Sequence, residues 1–228
     1  MAEPILFFNF RQTFTPGKRE NYVRKKPLLY EPTTAITDYI LFILGVFFGW
    51  STLAIQDSQF HQLWGTAFFS GGISGLLGGT SHGFGPRLEG IYQTIIWRAT
   101  LIFVATTGLL LAMSSALIFV TGKGENALYI TAGVLLIIYY NRIRTHDSFR
   151  SAVTFYLPLM GISLVGFIVA FFNYGMTGAL SISIGLAVSL AASWVQMMKI
   201  SLHENFNHND LFHVIQMLGM FLMYRGGL

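Results

Sequence analysis

The chain has 228 residues, of which 53% are hydrophobic and 11% charged, where a soluble domain carries about 25% charged residues. That balance excludes an ordinary water-soluble globule, and the absence of cysteine excludes disulfides and thiol chemistry. The net charge is +4, but the basic residues flank apolar runs rather than forming a soluble patch. They therefore speak for orientation in a membrane, and no nucleic acid is expected as a partner.

Residues 1–33 form a basic, amphipathic lead-in containing "KRENYVRKK". The lead-in lacks the apolar core of a cleavable signal peptide, and its basic residues suit anionic headgroups. Seven apolar runs follow, at 34–54, 62–82, 91–119, 127–143, 153–172, 176–200 and 210–224. A spanning helix needs about 20 apolar residues, and the runs are continuous where barrel strands would alternate. The sequence thus predicts an all-α integral membrane protein, with seven transmembrane helices over residues 34–228. Gly71, Gly75 and Gly79 in the second run form a small-residue stripe for close helix packing. The "GGTSHGFGP" turn lacks the Gly-Lys-Ser/Thr that a phosphate-binding loop requires.

Lys and Arg mark the cytoplasmic ends of helices. Arg11, Lys18, Arg19, Arg24, Lys25 and Lys26 precede the first run, and Arg87, Arg142, Arg144, Arg150 and Lys199 share its side. Only Lys123 and Arg225 fall on the other, with Arg98 inside the third run. The amino terminus is expected to be cytoplasmic.

With this topology His82, at the end of the second run, lies at the depth of His208 and His213, which open the seventh in "NHNDLFHVIQ". Asp38, Glu89 and Asp210 share that side. Asn209, His213 and Gln216 fall at i, i+4 and i+7, one helix face, and Ser189, Ser193 and Gln196 repeat the spacing in the sixth run. Lipid cannot satisfy polar faces, so they turn inward, which predicts a polar pocket at this end with Ser81 beside it. Intramembrane ionisable groups are candidates for function or for helix-to-helix hydrogen bonds. Zinc is one candidate occupant, held by His82, His213 and His208, with Asp210, Glu89 or Asp38 moving protons. Arg98 opposes a nearby dication and is expected to pair with Asp38, Glu89 or Asp210, or to hold a lipid phosphate.

Seven helices, a His ending the second and "LFHV" opening the seventh resemble the CREST superfamily, which includes alkaline ceramidases and the progestin and adipoQ receptors. The resemblance implies a zinc held by a second-helix His and a seventh-helix HxxxH pair, assisted by a Ser and an Asp. His82 and His213 occupy two of these five positions. Asn209 stands at the first His of the pair, Gly78 at the Ser (with Ser74 and Ser81 nearby), and "YQTIIWRAT" supplies no Asp.

Two functions follow as expectations. One is a zinc-dependent lipid amide hydrolase. The other is a non-catalytic, receptor-like lipid binder or an accessory subunit of a membrane complex, with lipids or other membrane subunits as partners. A transporter is less well supported, since no inverted repeat or pair of broken helices is visible.

Overall fold

The structure is a computed structural model describing residues 27–55 and 58–228. The basic residues before Pro27 lie outside the described residues. The rest forms seven α-helices: α1 (Pro32–Leu53), α2 (Gln59–Phe84), α3 (Gly90–Ala116), α4 (Lys123–Ile143), α5 (Phe149–Tyr174), α6 (Thr177–Met197) and α7 (His208–Gly226). Among the described residues there is no strand, only an isolated bridge between His203 and Phe206 before α7.

Each helix falls on one of the seven predicted runs, and the ends differ for local reasons. Helix α5 begins four residues before its run because Ser148 caps it, accepting a hydrogen bond from the Ser151 N–H. Helix α7 begins two residues early because Asn207 accepts from the backbone of Asn209 and Asp210, while the Asp210 carboxylate accepts from the Asn207 N–H. That reciprocal arrangement is a capping box built from polar residues. Helix α3 stops at Ala116 although Leu117, Ile118 and Phe119 continue the apolar run; an apolar side chain does not by itself hold a helix open.

The helices close a ring in the order α1, α2, α3, α5, α6, α7, with α7 returning to α1, while α4 packs outside against α3. Two seams of the ring are backbone against backbone. A Cβ on Gly45 would stand 2.6 Å from the Gly72 Cα, and one on Gly75 would stand 2.7 Å from the Asp38 carbonyl oxygen. The α6–α7 seam repeats the device, since a Cβ on Gly185 would stand 2.6 Å from the Gly219 carbonyl oxygen. Of the expected stripe, Gly75 and Gly79 meet the α1 backbone, with a Cβ on Gly79 standing 3.0 Å from the Ala35 carbonyl oxygen, and Gly71 does not. Gly72, not Gly71, meets α1, and a Cβ on Gly71 would find only ordinary contact with Thr107, at 3.7 Å.

The two ends of the ring differ. Where α1, α5 and α7 finish and α2 starts, the interior is solid aromatic packing. Phe48 stacks on Tyr224 with centroids 4.4 Å apart, and Trp64 meets Phe167 edge-on at 5.4 Å. Trp64 and Phe167 are both fully buried, and offset or edge-on pairs are the favoured aromatic geometries. The opposite end, where α1 and α7 begin and α2 and α6 finish, holds the polar groups.

Candidate functional site: a polar-ended cavity

The first turns of α1 supply Thr34, Thr37 and Asp38, at the spacing of one helix face. All three are buried, and so are Asp210 and His213 on the facing turn of α7. Buried polar groups in a helix bundle require partners, and here the two helices supply them to each other. The Thr34 hydroxyl donates to Asp210 Oδ1 at 2.7 Å, and the Asn207 N–H donates to Asp210 Oδ2 at 2.7 Å. Asp210 is therefore fully used in fixing the start of α7 against α1. In this arrangement it acts as a cap and a cross-link.

His213 is gripped from both sides. Its Nδ1 lies 2.8 Å from Thr37 Oγ1 and its Nε2 lies 3.2 Å from Asp38 Oδ1. The Thr37 hydroxyl also stands 3.1 Å and 3.0 Å from the carbonyls of Thr33 and Thr34. A hydroxyl has one proton to give. Either it goes to a carbonyl while Nδ1–H donates to Thr37, or it goes to Nδ1 and leaves Nε2–H to donate to Asp38. Asp38 and His213 keep only 7% and 8% of their side-chain surface exposed. The second Asp38 oxygen, Oδ2, is buried with no hydrogen-bond partner among the described residues.

That carboxylate faces a cavity of about 300 Å³ inside the ring. Asp38, His82, His208, Asn209, His213 and Gln216 line its polar end, and Phe68, Val104, Leu111, Val153, Tyr156 and Met220 line its walls. Gly78 makes room for Asp38, because a Cβ there would press within 3.2 Å of both carboxylate oxygens. The position where the resemblance calls for Ser is thus the floor under a carboxylate contributed by α1. His82 lies one turn further along α2 and donates through Nδ1 to Glu31 Oε2 at 3.0 Å. This hydrogen bond holds the Glu31 carboxyl below the usual glutamate value, against a partial burial that acts the other way.

The cavity brings together His82, His208, His213, Asp38, Asn209 and Gln216, and leaves others aside. His208 lines it although it is the first residue of α7. Ser81 does not line it, whereas Ser74 and Ser193 do. Glu89 is exposed at the start of α3. Arg98 has a different partner from those expected. Its Nε donates to Asp147 Oδ2 at 2.9 Å and its Nη2 to the Arg144 carbonyl at 3.1 Å, which ties α3 to the α4–α5 turn. Asp147 sits in a short loop whose return to α3 the apolar pattern did not reveal. Thr34, Thr37 and Glu31 were missed as well. The polar spacing of "TTAITD" held the signal for the two threonines, by the same rule that picked out Asn209, His213 and Gln216.

A shared zinc requires at least three donors converging on one point. Among the described residues no group of three His, Cys, Asp or Glu side chains does so. Where the resemblance calls for a third ligand stands Asn209, whose Oδ1 accepts from Gln196 Nε2 at 3.4 Å and whose amide is a poor zinc donor. As placed, the described residues do not fit a zinc.

The described residues form an all-α chain in which α1, α3, α5 and α6 are long and apolar enough to cross a membrane, consistent with a multi-pass membrane protein. The chain belongs to DUF6962, a family of unknown function that matches residues 33–228 and so takes in all but the first residue of α1 and everything after it. No curated protein and no solved structure matches it.

Proposed function

We propose that this chain is a seven-span membrane protein with a cytoplasmic amino terminus, and that it binds a lipid-like amphiphile in the cavity at its cytoplasmic end. The orientation rests on the eleven Lys and Arg residues that fall on that side. The binding reading is carried by one observation: a single cavity has apolar walls along the ring and its ionisable groups gathered at one end. Its volume lies at the lower edge of the range of about 300–1,000 Å³ typical of ligand sites, which are mostly apolar with a few placed polar groups.

The test fills the cavity. Gly71 lines it and has room for a side chain without meeting a backbone, so Gly71→Leu is expected to occupy the space and still fold. Native mass spectrometry of protein drawn from its membrane should find one retained amphiphile per wild-type chain and none on the variant. Equal retention by both, or none by either, would sink the reading.

A hydrolytic reading has its own specific support in the Asp38–His213 contact, a carboxylate–imidazole pair of the kind general base chemistry uses. Kinship with the CREST superfamily rests on His82 and His213 sharing the cavity. Release of fatty acid from a ceramide-type amide by wild type but not by His213→Ala supports it, and no release by wild type removes it.

A further inference from the structure

Resting on the binding reading above, we propose that the amphiphile taken by this cavity carries a protonated primary amine at its head. The polar end holds more acceptor than donor. Asp38 and Gln216, on the neighbouring helices α1 and α7, both line the cavity, and Asp38 Oδ2 and Gln216 Oε1 are buried with no partner among the described residues. A buried acceptor left without a donor carries the full penalty of its lost hydration. A ligand that relieves it must bring N–H or O–H groups, and a positive charge is favoured where the acceptor is a carboxylate.

The rest of the lining agrees. Among the described residues, Asp38 is the one Asp or Glu lining the cavity, and no Lys or Arg lines it. Arg98, the candidate for an anionic headgroup, is turned to Asp147 and is not part of the lining. A carboxylate or phosphate head would meet the Asp38 carboxylate with no Lys or Arg among the described lining residues to offset it. Trp97, about two turns into α3, Phe149, the first residue of α5, and Phe212, one turn into α7, also line the cavity. Aromatic faces attract ammonium groups and give nothing comparable to anions. A primary ammonium brings three N–H donors for such acceptors, whereas a quaternary ammonium has the charge but nothing to donate.

The experiment uses the full chain in phosphatidylcholine nanodiscs near neutral pH, with three radiolabelled probes of equal chain length: dodecylamine, dodecyltrimethylammonium and dodecanoate. Binding is counted above that of empty nanodiscs. Dodecylamine is expected to bind saturably at one per chain, at least tenfold tighter than dodecanoate and several-fold tighter than the quaternary probe. Asp38→Asn should weaken the amine at least tenfold and dodecanoate less than twofold, and Gln216→Leu should weaken the amine about threefold. The wild-type ranking needs no variant to fold. The amine assignment is overturned if dodecanoate or the quaternary probe binds as tightly as dodecylamine, or if Asp38→Asn leaves the amine unaffected. In those cases saturable binding still upholds the cavity as a lipid site. If no probe saturates, both readings fall together.

Discussion

The two ends of the helical ring are built from the same helices and packed by opposite rules. At one end Phe48, Trp64, Phe68, Phe167 and Tyr224 fill the interior with interlocking rings. At the other, the same α1, α2 and α7 surround a space and turn hydroxyls, imidazoles and a carboxylate toward it. In a membrane, helices gain little from hiding apolar surface, and association depends on close packing and hydrogen bonds. The aromatic end is where that packing is complete. The polar end leaves a carboxylate oxygen, Asp38 Oδ2, buried without a partner among the described residues, while the one such atom among the aromatic rings is the neutral Trp64 Nε1. On the proposed reading, the aromatic end anchors the fold and the polar end serves recognition.

Substitutions should separate the two. Phe167→Ala removes a fully buried ring from the aromatic end. The expected loss is about 2–3 kcal/mol, mostly the cavity contribution, because lipid offers the unfolded chain an apolar refuge and reduces the transfer contribution. Thermal denaturation in detergent measures it, and an unchanged midpoint would show that the aromatic end is not the anchor. Asp38→Asn at the polar end should behave differently. It keeps an acceptor for His213 and removes a poorly compensated buried carboxylate, so stability should stay level or rise by up to about 1 kcal/mol. A loss as large as that of Phe167→Ala would mean that the polar end is structural after all.

The smallest effect concerns pH. Glu31 titrates below an unfolded glutamate, held there mainly by its hydrogen bond from His82. Its contribution is therefore fully present above the ordinary glutamate value of about 4.3 and is lost as the pH falls through the lower folded value. The difference in melting temperature between wild type and Glu31→Gln should shrink steadily as the pH is lowered from 6 toward 3. A gap that persists at the acid end would assign Glu31 a role other than this charge-assisted contact.

The positions of all seven helices were legible in the sequence because a long apolar run is a strong one-dimensional signal. Their first turns were less so. Asn207, Asp210 and Ser148 are polar, and hydropathy discards them although capping needs them. The site was half legible. Asn209, His213 and Gln216 share a face, which a helical period exposes, and His82 shares a depth with His213, which the topology exposes. That Asp38 would meet His213, or Arg98 would meet Asp147, depends on which helices become neighbours. The closing of α7 onto α1 and the exclusion of α4 from the ring are tertiary facts that no periodicity carries. The seam glycines make the same point, since Gly72 rather than Gly71 reaches α1 only once the crossing is fixed.

The distance along the chain between the partners at the polar end matters for biosynthesis. Thr37 and His213 are 176 residues apart, so the first helix is made long before the last emerges from the ribosome. Throughout that interval the Asp38 carboxylate has no imidazole beside it, and the early hairpin of α1 and α2 can shield it only with Gly78 and the edge of His82. The pocket is therefore among the last features to be completed, and its completion coincides with the docking of α7. A cell that recognises unfinished membrane proteins by exposed polar groups would find its mark on this one at Asp38, and would lose it when α7 docks.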